Sequence, residues 1–490
     1  MESYFLSIIF FKISHTNNGD LMNYLENIQK EFANFDDLVI KNITIQNNNL
    51  TILSIDTIVN SFNINDFILK KLTKISITEN LSSFLINNIP CNNVKKINFN
   101  EIETYLMNAF TIIIINNQEF IAIETIGDLN RGISSSEYEK TITGPKDSFI
   151  EHFNTNVGLI RKRIRSHDLK LESLTLGKYT NTKIGIMYVN TICKPEIKDE
   201  IISKLKRINI DGIIDSGYLK KYLTKSNSLF PTIKSTERPD LASQALLEGK
   251  IVIITDNSPD ILILPSFFID YFHMSDDYYQ KHFNITFIRI VRLFAFLMAI
   301  LLPAYYIAIT TFNVDFIPIN LLVNFISQRS NVPFPAFIEA FIMIISFEIL
   351  RESDMRIPSS QGTAISILGG LVLGDAAVQA GIISPIMIIV VAISAISGLV
   401  FQSVEVVNAI RFWRFILIIL SSLLGLYGIF LGIILIIINL SDTHSMDKDY
   451  LYPFAPINFH EQKDGFIRTN EKKNFRNPLI SNNHVRGENK

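Results

Sequence analysis

The chain has 490 residues, 48% of them hydrophobic, with a mean hydropathy of +0.26 and a formal net charge of −2. That length allows two or three domains and that apolarity excludes a wholly soluble chain, while the balanced charge excludes electrostatic capture of nucleic acid, which needs a basic surface. Only Cys91 and Cys193 are present, so neither a disulfide scaffold nor a cysteine zinc site is expected, and a reducing, cytosol-facing setting is.

At the amino terminus, residues 1–11 carry Glu2 where a signal peptide would carry positive charge, and are expected to start a buried strand or helix. An internal repeat follows. Asp37-Leu-Val-Ile-Lys-Asn-Ile-Thr-Ile45 and Asp168-Leu-Lys-Leu-Glu-Ser-Leu-Thr-Leu176 share one pattern at an offset of 131 residues, and 50–58 aligns with 184–192 after a three-residue insertion. Both copies run into helical patterns, 65–75 and 195–208, with Pro195 suited to a first helical turn. Each unit therefore reads strand, strand, helix. Residues 134–148 are polar and hold the breaker Gly144-Pro145, which predicts a loop. Residues 149–166 read as a helix ending in the basic run Arg161, Lys162, Arg163 and Arg165, either a solvated face or a contact to acidic lipid. Residues 250–255 and 260–264 predict a hairpin around Asp256-Asn257-Ser258-Pro259, ended by Pro265.

Beyond this point the apolarity is concentrated: residues 287–440 contain no lysine and 14 of the chain's 92 charged residues. A bilayer core of about 30 Å needs roughly 20 apolar helical residues, and 288–312, 362–380, 382–401 and 415–440 meet that length. Residues 333–350 form a fifth candidate in which Glu339 and Glu348 fall on opposite helix faces; neighbouring helices must shelter it, or it lies in the interface with Glu348 paired to Arg351. Arg289, Arg292, Arg351, Arg356, Arg411 and Arg414 flank these spans and mark one side under the positive-inside rule. Five spans would place the tail on the far side, and four would place both termini inside. Within 362–380, Gly362, Ser366, Gly370 and Gly374 recur every four residues and form a helix-packing face. On the opposite side Leu368, Val372, Asp375 and Gln379 converge; in a ring of identical subunits they would line a pore, with Asp375 alternatively reaching headgroup water.

Together these readings predict an α+β soluble region of two repeated α/β subdomains followed by an α-helical multi-span membrane domain. The boundaries are 1–140 and 141–285 for the subdomains, the second ending in a hairpin and linker, 286–440 for four to five membrane helices, and 441–490 for a polar tail. No catalytic constellation, cofactor motif or metal-ligand spacing is found: the eight histidines are scattered and no phosphate-binding glycine motif or nucleophile elbow occurs. Asp276-Asp277 beside Tyr278-Tyr279 reads as a linker at the membrane surface rather than a site. Arg238, between Glu237 and Pro239 and close to Asp240, is expected to fix a turn by a charge-assisted pairing.

Several short motifs in order carry a family resemblance. They are Gly144-Pro145, Asn156 with Arg161-x-Arg163, Asp211-Gly212 with Asp215-Ser-Gly217, Ser235-Thr-Glu-Arg-Pro-Asp240, Leu246-Leu-Glu-Gly249, Asp256-Asn-Ser-Pro259, Asp277-Tyr-Tyr279, Pro333-Phe-Pro335, Phe347-Glu348 with Arg351-Glu352, Ala380-Gly381 with Ser384-Pro385, and Pro453-Phe-Ala-Pro456. Over about residues 141–456 the chain resembles the A-subunit family of bacterial spore-germination nutrient receptors (GerA-type); residues 1–140 resemble it only through the repeat. The chain departs from the family at Asp375, where Gln or Glu is expected, and at Asn190-Thr-Ile192, where a Gly is expected. The resemblance implies a non-enzymatic subunit in the inner membrane of a dormant endospore, its large N-terminal region on the cytoplasmic (core) side. It also implies a permease-like B subunit and a lipoprotein C subunit as partners, and a part in converting nutrient binding into ion release; a homo-oligomer in membrane lipid is expected from the two faces of 362–380. A secondary transporter, or a family paralogue serving ion release without sensing nutrients, remains open at this stage.

Overall fold

The computed structural model describes residues 32, 34–45, 48–72, 81–91, 93–116, 118–127, 139, 143–224, 229–356, 374–456, 465–467 and 477–482. Residues 1–11, and Gly362, Ser366, Leu368, Gly370 and Val372, lie outside the described residues. The chain divides into two compact units, Met1–Leu129 with Ile164–Glu172, and Asn130–Arg163 with Ser173–Lys490.

In the first unit the order is β1 (Leu38–Ile45), β2 (Asn48–Ile55), a helical run α1 over 61–72, α2 (Leu81–Asn88), β3 (Val94–Ile97), α3 (Ile102–Met107), β4 (Phe110–Ile115) and β5 (Glu119–Glu124). The sheet order is β1-β2-β4-β5-β3 with antiparallel pairing throughout. Strand β4 reads Phe-Thr-Ile-Ile-Ile-Ile because both faces are covered. Ile112 and Ile114 pack with Leu53 and Leu106 on one side, and Ile113 and Ile115 with Ile52, Ile68 and Leu85 on the other.

The second unit begins with α4 (Phe153–Arg163). It continues, after residues 164–172 that fall in the first unit, through the rest of β6 (Leu169–Leu176), β7 (Thr182–Val189), α5 (Pro195–Lys206), α6 (Ser216–Leu223), β8 (Lys234–Thr236), α7 (Pro239–Glu248), β9 (Ile251–Thr255) and β10 (Ile261–Leu264). Its sheet order is β6-β7-β9-β10-β8. Position for position this is the order of the first sheet, and the register agrees as well. Leu50 lies opposite Ile115 and Leu53 opposite Ile112; the counterparts are Ile184 opposite Thr255 and Met187 opposite Val252. Even the turn after the second strand repeats: Ile58 and Val59 N–H donate to the Ile55 carbonyl, and Ile192 and Cys193 N–H to the Val189 carbonyl. A shared strand order is what a duplication requires. Helix α5 starts on Pro195 and buries Ile197, Ile201 and Leu205, one stripe at a spacing of four. The hairpin forms with β9 and β10 antiparallel and Asn257 at φ +64° in its turn.

Among the described residues, two helices are long and apolar enough to cross a bilayer, α8 (His282–Thr311) and α12 (Val404–Leu424), and α11 (Pro385–Gly398) and α13 (Leu426–Asp442) are apolar but shorter. Between them lie α9 (Ile319–Arg329) and α10 (Ala336–Arg356). The expectation of a single span over 415–440 is corrected. Gly425, at φ +60°, ends α12, and α13 packs back along it: a Cβ on Gly432 would lie 2.3 Å from Leu417 Cδ2, and one on Gly428 2.1 Å from the Leu420 carbonyl oxygen. After α13 the short hairpin of β11 (His444–Ser445) and β12 (Lys448–Asp449) returns to the α/β portion, where Met446 and Tyr452 join the core of Ile186, Ile253 and Leu264.

The basic run that ends α4 is divided: Lys162 and Arg165 are exposed, as a solvated face would have them, while the other two turn inward. Arg161 is buried, and Arg163 Nη2 donates to both oxygens of Asp147, at 2.7 and 2.6 Å. Cys91 and Cys193 are both free; Cys193 is buried, which pushes its thiol up to about 12.

Candidate functional site

Strand β8 and helix α7 meet at a sharp turn. Pro239 occupies the first helical position, where a missing N–H is harmless, and leaves Arg238 extended as the residue before the helix. The Arg238 side chain is 2% exposed and grips Asp240 with both prongs, Nε to Oδ1 at 3.0 Å and Nη2 to Oδ2 at 2.7 Å. Its remaining donors reach the Pro145 carbonyl at 2.9 Å and the Glu139 carbonyl at 3.4 Å. Tyr279 Oη donates to Asp240 Oδ2 at 2.8 Å. Gly144, at φ +108°, lies so close beneath the Tyr279 ring that a Cβ there would sit 2.6 Å from it. The Glu139 carboxylate accepts from Thr236 Oγ1 at 2.6 Å and from Glu237 N–H at 3.1 Å, and burial holds it above the usual carboxylate range. Glu237 acts through its backbone, its carbonyl accepting from Phe149 N–H at 2.7 Å and Ser148 Oγ at 3.0 Å. Gly144-Pro145, Glu237 to Asp240, and Asp277 to Tyr279 are thus one constellation, although 135 positions separate their extremes.

Below it lies an ion cluster where α8 begins. Asp277 is 2% exposed and receives Arg292 on both oxygens, at 2.7 and 2.9 Å, and Arg289 Nε at 3.2 Å. Arg289 Nη1 also donates to the Gly465 carbonyl at 2.7 Å, and Arg292 Nη1 to the Phe272 carbonyl at 2.7 Å. Two cations sharing one carboxylate need such extra acceptors, because a buried charge without them is costly. These arginines are therefore held inside the protein and are not the free basic flank that the positive-inside rule counts. His273 Nε2 lies 2.9 Å from the Gly465 carbonyl. Burial, with Arg289 alongside, holds its ring well below the usual histidine range, so it donates there as the neutral form.

Next to the constellation is a cavity of about 520 Å³, walled on one side by Lys234, Asp260, Tyr271 and His273 and on the other by Gln402 to Glu405 at the start of α12. Lys220 on α6 reaches Glu405 Oε1 at 2.6 Å, which ties α6 to α12 across the cavity's rim. Burial raises Asp260 and lowers Lys234. Lys234 Nζ donates to the carbonyls of Asp270 and His273 at 2.9 and 3.2 Å. This arrangement offers polar contacts to a small solute and a mechanical link from sheet to helix.

Within the helices, Glu339 is fully buried and accepts from Ser384 N–H at 2.9 Å and Oγ at 2.7 Å, so a carboxylate sits at the positive N-terminal end of α11. Glu348 pairs with Arg414 at 2.6 Å and Arg411 at 3.2 Å; Arg351, its expected partner, is only at 4.0 Å. Neighbouring helices thus supply partners to both acids: Glu339 is fully buried, and Glu348 is half-buried. Of the pore-lining expectation, Asp375 and Gln379 are described: both are exposed, and Gln379 Nε2 donates to Asp375 Oδ2 at 2.8 Å. Among the described residues, the nearest atom to a Cβ on Gly374 is Ile388 Cδ1 at 4.0 Å. Among the described residues, a close small-residue contact lies at Gly428 and Gly432. Their G-x-x-x-G spacing was the available signal.

The model of the Bacillus/Clostridium GerA spore germination proteins matches residues 26–480. Spore germination protein KA of Bacillus subtilis is 35% identical over 449 residues, 90% of this chain and 82% of that one. Spore germination protein GerQA of Bacillus cereus is 33% identical over 402 residues, 81% of each chain. Among solved structures, the N-terminal domain of the A subunit of the Bacillus megaterium spore germinant receptor GerK3 is 30% identical, covering 50% of this chain and 94% of that one at a TM-score of 0.39.

Proposed function

The chain belongs to the Bacillus/Clostridium GerA spore germination protein family, and on that footing we propose that it is the A subunit of a nutrient germinant receptor in the endospore inner membrane. It works with a permease-like B subunit and a lipoprotein C subunit and couples germinant sensing to ion release, without enzymatic chemistry. Its helices span the membrane several times, and its N-terminal region faces the spore core. The observation that carries this reading is the constellation of Arg238, Asp240, Tyr279 and Asp277, because it locks the second sheet onto the entry of α8 through buried, multiply bonded charges. Such a joint transmits a displacement of the sheet to the helix instead of absorbing it. Several copies then form the ion path, with residues 362–380 lining it; the exposed Asp375 and Gln379 support a polar mouth. A secondary transporter built on inverted repeats would duplicate its helices, whereas the duplication found is of sheets.

Spores lacking this chain should lose their response to at least one nutrient and still germinate when the receptors are bypassed. An unchanged response to every nutrient, with slowed ion release, would instead select the paralogue that does not sense nutrients.

A further inference from the structure

We infer that residues 477–482 near the carboxyl end are a latch that completes the second α/β repeat, so that the chain leaves the membrane on the side where it entered.

The first repeat shows what the latch replaces. There β5 runs on past Glu124, and Ile126 pairs with Val59 beyond the end of β2. Asn60 N–H donates to the Thr125 carbonyl and Gly127 N–H to the Ile58 carbonyl. In the second repeat β10 cannot run on in this way. Pro265 follows Leu264 without an N–H to offer, and the chain turns off towards α8. The vacated place is taken from the far end of the sequence. Ser481 pairs with Cys193, Lys194 N–H donates to the Ile480 carbonyl at 3.1 Å, and Asn482 N–H donates to the Ile192 carbonyl at 2.8 Å. These are the same bonds on equivalent residues. Ile480 is 1% exposed and Ser481 fully buried. Gly249, at φ +98°, makes room for them: a Cβ there would stand 3.2 Å from the Ile480 carbonyl oxygen and from Ser481 Cβ.

The latch itself rests on these contacts alone. Its consequence rests also on the membrane reading of α8 to α13: if both ends of that region dock on one α/β unit, the helices cross an even number of times and five crossings are excluded.

Cys193 and Ser481 face each other as a pair flanked by hydrogen bonds but not joined by them, the antiparallel geometry in which side chains come closest. On a Cys91→Ser background, Ser481→Cys in the full-length chain, oxidised with copper phenanthroline in sealed membrane vesicles, should convert most of the protein to a faster-migrating, internally linked form. Asn482→Cys, one step along the strand and turned the other way, should not. In the full chain Cys193 should resist maleimide, and truncation before Asn477 should expose it. Oxidised dimers of twice the mass would show that the tail serves another copy and overturn the latch within one chain. Equal, low yields at 481 and 482 would overturn the docking altogether. Recovery of the linked form outside the alkali-resistant membrane fraction would overturn the membrane reading and leave the latch standing.

Discussion

Arg238 makes at least four bonds from one buried guanidinium, and no other side chain can copy them. A lysine keeps the charge but supplies a single point donor, so it would lose one prong to Asp240 and leave the Pro145 or Glu139 carbonyl unmet. Losing bonds from a buried charged group costs about 1.5–3 kcal/mol each, a large part of the margin of a typical domain. Arg238→Lys should therefore lower the amount of chain recovered from membranes several-fold, as read by immunoblot. Normal assembly with lost germination would sink this structural role and give the guanidinium a direct one in signalling. The pairing with Asp240 was legible in the sequence because both partners lie within one turn. Glu139 and Tyr279 were not, since neither is near Arg238 along the chain.

At the scale of elements, the strands and most helices follow from periodicity and punctuation, and the helical hairpin of α12 and α13 follows from one glycine. Residues 415–440 are apolar throughout, so hydropathy alone reads one span there. Gly425 adopts φ +60° and ψ −136°, where side-chain-bearing residues are strained by about 1–3 kcal/mol. A Cβ would also stand 2.8 Å from Phe312 Cβ and 2.9 Å from Asn313 Oδ1. Gly425→Ala is expected to destabilise the hairpin by at least that strain and to lower the melting midpoint of the detergent-solubilised chain. An unchanged midpoint would mean that α12 and α13 tolerate a straight junction.

For the whole molecule, the proposed ion path sets the sharpest expectation. Val372→Ala would widen an apolar constriction and ease its hydration, biasing the assembly towards a leaky state. Gly370→Leu would block close helix approach and prevent assembly. Ion flux and assembly, measured together in spores, should thus fail in opposite ways. If Val372→Ala leaves flux unchanged in an assembled complex, or if a cysteine at position 372 reacts only with lipid-phase reagents, residues 362–380 are a packing helix and the path runs elsewhere.

The sequence by itself determined the duplication, the hairpin of β9 and β10, the long apolar helix α8 and the family, because each is written in local alternation, helical spacing or short ordered motifs. Only the tertiary structure decided which charges are partners. Arg161, Arg289, Arg292 and Arg414 look like surface cations along the chain, yet all four are buried, Arg289 and Arg292 against the carboxylate of Asp277 and Arg414 against that of Glu348. The tertiary structure also brought Ile480 to Asn482 back to Cys193 across more than 280 positions. Pairings of that kind depend on which surfaces meet once the elements have packed, and no period in the sequence encodes a distance along the chain.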